Sequence, residues 1–68
     1  MIGFELLEQT DEYSRYKKSG EIFYYLYQYN SGKYILEKCK DKYYGYFAEI
    51  IYEGEDKQEL DKILCGLE

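Results

Sequence analysis

Histidine and tryptophan are absent from this 68-residue chain, proline is absent too, and only two cysteines and one methionine occur. Without histidine the commonest general base and the commonest transition-metal ligand are missing, and no Cys–His pair can form. Without proline no rigid linker exists, so turns must be made by glycine, asparagine, aspartate and serine. Cys39 and Cys65 allow at most one disulfide and lack zinc-ligand spacing, since two thiolates alone do not close a tetrahedral site. Both are expected to be free, partly buried thiols in a reducing compartment. The stretch Met1-Ile2-Gly3-Phe4-Glu5 brings an acid at once and reads as no secretory signal, and no apolar run approaches membrane-spanning length. The simplest localisation is cytoplasmic, with no membrane association.

Aromatic residues, by contrast, are abundant. Eleven tyrosines and three phenylalanines make up 21% of the chain, and 46% of residues are hydrophobic, which argues for a folded domain rather than disorder. A chain of this length is a single domain, 1–68, and close to the lower limit for independent folding.

The expected fold class is α+β: an antiparallel β-meander of four to five strands with one C-terminal amphipathic helix packed on one face. Strands are read at about 3–8, 13–18, 21–29, 33–39 and 43–52, and the helix at about 56–66. Residues 13–18 are charged like an edge strand. Residues 21–29, Glu-Ile-Phe-Tyr-Tyr-Leu-Tyr-Gln-Tyr, are the strongest strand by β-branched and aromatic content. Asn30-Ser31-Gly32 fits a type I turn closed by a left-handed glycine. Lys40-Asp41-Lys42 reads as a second turn, and Gly45 as a bulge. Asp56 or Glu55 opens the helix, in which Leu60, Ile63, Leu64 and Leu67 recur on one face.

If Tyr29 lies opposite Lys33, then Ile22, Tyr24, Leu26 and Gln28 share a face with Tyr34, Leu36 and Lys38, and Ile22, Leu26 and Leu36 form the helix-facing core. Phe23, Tyr25, Tyr27 and Tyr29, with Ile35, Glu37 and Cys39, then occupy the opposite face. One helix covers only one side of the sheet. Phe23, Tyr25, Tyr27, Tyr29 and Ile35 are therefore the first candidate partner-binding surface, since tyrosine is enriched at binding hot spots.

Charge is segregated along the chain. The net charge is −5. Residues 1–13 carry four acids and no base, residues 14–48 carry seven bases against three acids, and residues 49–68 carry seven acids against two bases. The acids Glu53, Glu55, Asp56, Glu59 and Asp61 are the second candidate surface, suited to a basic groove on another protein.

No phosphate-binding glycine loop occurs, Glu53-Gly54-Glu55-Asp56 lacks the alternation of a calcium loop, and a chain this short has little room for a dry catalytic cleft. The expectation is a non-enzymatic protein with no cofactor and no metal: a small acidic protein-binding module, plausible as a phage or mobile-element inhibitor of a host nucleic-acid-processing or defence enzyme, with an anti-CRISPR-like mode of action. Two alternatives stand beside it. One is a single-stranded nucleic-acid-binding sheet, for which the central bases and their nine neighbouring tyrosines speak, but against which the sequence pI of about 4.7 weighs. Its sheet-then-helix order is similar to the coactivator-type single-stranded-DNA-binding fold in topology only. The other is a homodimer formed through the free sheet face.

Overall fold

The computed structural model describes residues 3–20, 22–42 and 45–67, and the side chains among these outside 40–47. Five strands follow in chain order: β1 (Phe4–Gln9), β2 (Tyr13–Lys18), β3 (Ile22–Tyr29), β4 (Tyr34–Lys42) and β5 (Gly45–Gly54), and then one helix, α1 (Lys57–Cys65). They form one sheet in the order β1-β2-β3-β4-β5, every pair antiparallel. This is the α+β meander with a terminal helix that the sequence pattern predicts. Short connections dictate it, because a tight turn can join only antiparallel neighbours.

The turns carry their own chemistry. The Thr10 hydroxyl accepts from the Glu12 and Tyr13 backbone N–H groups, both at 3.1 Å, and so closes the β1–β2 turn. Gly32 holds φ +100°, a conformation open to glycine at little cost, and the Tyr29 N–H donates to the Lys33 carbonyl at 2.8 Å. Tyr24 pairs with Lys38, Leu26 with Leu36 and Gln28 with Tyr34, the register expected from Tyr29 lying opposite Lys33.

One side of the sheet is covered by α1. Tyr24, Leu26, Leu36 and Leu60 form the buried centre, with Phe4, Tyr16, Ile22, Tyr34, Ile51, Tyr52, Ile63, Leu64 and Leu67 packed around it. All four expected helix positions therefore face the sheet. The helix begins where Asp56 caps it: the carboxylate accepts from the Gln58 N–H at 3.0 Å and the Glu59 N–H at 3.3 Å. Asp56, not Glu55, is the cap.

Four expectations are corrected. β2 is not an edge strand: it lies between β1 and β3, and its charges are accommodated by aromatic rings described below. Lys40-Asp41-Lys42 is not a turn; β4 continues through it, because residues 45–47 of β5 supply backbone partners in regular register, and pairing overrides the weak strand preference of charged residues. Residues 43–44, the first two positions of the expected strand 43–52, lie outside the described residues, as does Glu21. Gly45 is not a bulge: it pairs regularly with Lys42, and the bulge lies at Ile51, between Ile50 and Tyr52. That extra residue lets Ile51 and Tyr52, adjacent in sequence, both pack on the helix-side core. Finally, the thiols differ from each other: Cys39 is fully buried and Cys65 exposed, both free.

Candidate functional site

The helix-free side of the sheet is built by the alternation of side chains along β2 to β5. Its aromatic line is Phe23, Tyr25, Tyr27 and Tyr29, each partly buried, with Ile35 next to Tyr27 on β4. The structure thus brings together all five residues expected on this face. Cys39 also lies here, opposite Phe23 and Ala48, and is only 1% exposed. The rings do not stand loose. Tyr27 and Tyr29 stack at 6.5 Å between centroids, and Tyr13 closes against both at 5.8 and 5.5 Å.

Two cations lie over these rings. The Arg15 guanidinium sits 4.7 Å from the Tyr25 centroid and 5.6 Å from that of Tyr27. The Lys17 ammonium sits 4.7 Å from the Phe23 centroid and 5.8 Å from that of Tyr25. Contacts of this kind contribute about 0.5–1 kcal/mol each at exposed sites. Arg15, Lys17 and Tyr13 are absent from the sequence-derived site, although their period-two spacing on β2 was the available signal. Arg15 Nε is buried without a hydrogen-bond partner, so that edge of the guanidinium relies on the rings alone.

The electrostatics of this face are mixed. Cross-strand rows run Glu5–Lys17–Tyr25–Glu37–Ile50 and Glu8–Arg15–Tyr27–Ile35–Glu53. Burial raises the Tyr27 pKa, and the nearby Arg15 charge partly counteracts it. The Tyr13 hydroxyl donates to Glu8 at 2.9 Å, and this hydrogen bond to a carboxylate is the main cause of its raised pKa.

The five acids do not form one surface. Glu53 lies on the helix-free side, where it is paired with Lys33 at 2.9 Å; that hydrogen bond raises the lysine pKa. Asp56 is committed to capping α1. Glu55, Glu59 and Asp61 are exposed. No group of three or more acids or cysteines among the described residues is placed to hold a metal ion, and no helix among them is long and apolar enough to cross a membrane.

What the face can do chemically is adhere: it offers ring faces and edges, phenol hydroxyls and fixed charges of both signs, in a preset array. Comparison adds no relative to this picture, for no family model, no curated protein and no solved structure matches the chain.

Proposed function

We propose that this chain is a non-catalytic protein-binding module that meets its partner through the helix-free side of the sheet. One observation carries the reading: Phe23, Tyr25, Tyr27 and Tyr29 stand in line beside Ile35 on the side that α1 leaves uncovered. Held by Arg15, Lys17 and Tyr13, these rings lose little freedom on binding, and rigid amphipathic rings give contact area at low entropic cost.

In its finer form the reading is that of an inhibitor, encoded by a phage or mobile element, which occupies a basic groove of a nucleic-acid-processing or defence enzyme in the cytoplasm, as anti-CRISPR proteins do. The net charge of −5 supports it, with the exposed Glu55, Glu59 and Asp61 adding to the long-range attraction from outside the aromatic face. Glu53 and Asp56 contribute less to such a surface, being used within the chain.

The test pairs affinity capture from lysate of the source cells with a Tyr25→Ala/Tyr27→Ala double variant whose folding is checked by circular dichroism. The expected result is one retained partner that the variant loses. A partner retained equally by the folded variant, or none retained by the natural chain, overturns the reading.

A nucleic-acid-binding sheet is the second reading, favoured by the cations over ring faces, the two parts of a stacking platform. Against it, the described residues of that face hold Glu5, Glu8, Glu37 and Glu53 against Arg15, Lys17 and Lys33. Binding of an oligothymidine that weakens steeply with salt is its signature, and a flat titration at low salt eliminates it.

A further inference from the structure

We infer that the outer edge of β5 is a docking site for an extended, lysine- or arginine-bearing strand of another protein, added to the sheet as a sixth strand. The proposal concerns the sheet's edge, not its aromatic face, and stands or falls apart from the reading above.

The backbone gives the first reason. The Tyr29–Lys33 hydrogen bond fixes the alternation of the ladder. Residues 33, 35, 37 and 39 then bond to β3, and residues 34, 36 and 38 bond to β5. Their partners Gly54, Tyr52 and Glu49 turn inward. Ala48, Ile50 and Glu53 consequently turn their backbone N–H and C=O groups outward, where no strand among the described residues meets them. Their side chains belong to the helix-free side. Ile50 is 55% exposed and Ala48 is exposed beside it, a short apolar strip along the open edge.

The second reason separates β5 from β1, the other edge. β1 is broken by a register shift at Leu7, between Leu6 and Glu8, which twists the strand and interrupts a template. β5 carries a shift of its own at Ile51, but before it keeps regular register through six residues, Gly45 to Ile50, against three in β1, Phe4 to Leu6.

Charge selects the occupant. Residues 48–56 contain four acids and no basic residue; Glu53 is held by Lys33 and Asp56 caps α1, which leaves the exposed Glu49 and Glu55 to attract a cation. An added strand with alternating basic and apolar residues places an apolar side chain beside Ile50 on the helix-free side and a cation beside Glu49 on the other. A second copy of this chain is disfavoured, because both edges are acidic: β1 brings Glu5 and Glu8 and no base. Edge-to-edge pairing of two copies sets acid against acid.

The test uses a seven-residue alternating lysine–valine peptide, a glutamate–valine counterpart, and the full nitrogen-15-labelled chain. The lysine peptide is expected to shift amide signals of residues 48–53 and to slow hydrogen exchange at Ala48 and Ile50, with affinity falling as salt rises. Ala48→Pro removes one outward N–H while sparing the β4 ladder, and should weaken binding by roughly tenfold or more. Should that variant fail to fold, Glu49→Lys is expected to weaken binding by a similar factor, roughly tenfold at low salt. Equal binding of the glutamate peptide, shifts centred on β1 or on Tyr25 and Tyr27, or undiminished binding by a folded variant overturns the proposal. So does concentration-dependent pairing of the free chain through residues 48–53.

Discussion

Leu36 sits at the centre of the sheet with no exposed surface, flanked by Leu26 on β3 and Tyr52 on β5. Leu36→Ala removes three buried carbons from a core centred on four buried side chains, and should cost about 3 kcal/mol in urea-induced unfolding. For so small a domain that is a large share of total stability. Titration makes a second prediction at this scale. Tyr13 and Tyr27 are raised above the ordinary tyrosine value of 10.0, and Lys33 above the ordinary lysine value of 10.5. In each case the folded state holds its proton more tightly than the unfolded state. The stabilisation is complete below those ordinary values and is lost as pH rises through the folded-state pKa. The urea midpoint should therefore fall above about pH 10, and Tyr13→Phe, which removes the hydroxyl bonded to Glu8, should make that fall shallower. Leu26, Leu36 and the tyrosine line were legible because strand alternation sorts them once one turn fixes the register. Arg15 and Lys17 were not: charge on a strand reads as solvent exposure, whereas here it rests on rings two residues away in space but on another strand.

The corner from β5 into α1 is the element whose construction is most specific. The Tyr52 hydroxyl donates to the Asp56 carbonyl at 2.9 Å and accepts from the Asp56 N–H at 3.0 Å, tying the strand to the helix cap. A Cβ on Gly54 would stand 2.9 Å from that hydroxyl, so only glycine lets the ring lie back over the chain. Tyr52→Phe should cost about 1 kcal/mol, and Gly54→Ala a similar amount, about 1–2 kcal/mol, through crowding. Because both changes act on one contact, the double variant should cost less than the two together, a coupling that a double-mutant cycle reads directly. Asp56→Ala should cost a further ~1 kcal/mol by uncapping α1. The existence of this helix, its cap and its buried face were readable from spacing and residue type. The bulge at Ile51 was not, because it answers to the space beneath α1, which only the assembled layers define.

Across the whole molecule, charge follows the topology. Acids without bases line the two outer strands that are described, β1 and residues 48–54 of β5, while Arg15, Lys17, Lys18, Lys33 and Lys38 lie between them. Self-association by the edges is resisted as long as those carboxylates are ionised. Acidification toward the sequence pI of about 4.7 removes that resistance, and light scattering should detect association there that is absent at neutral pH. The overall meander was legible from turn residues and connection lengths. The placement of the cations inside it was legible only as a one-dimensional charge pattern.

Each strand pairs solely with the one before and the one after it. The sheet can thus zip up hairpin by hairpin, each closure spanning a dozen or so residues, with the helix docking last from the adjoining segment. No distant stretch must find its mate before the gain begins, so the chain is expected to fold faster than Greek-key sandwiches of comparable stability, whose strands wait for remote neighbours.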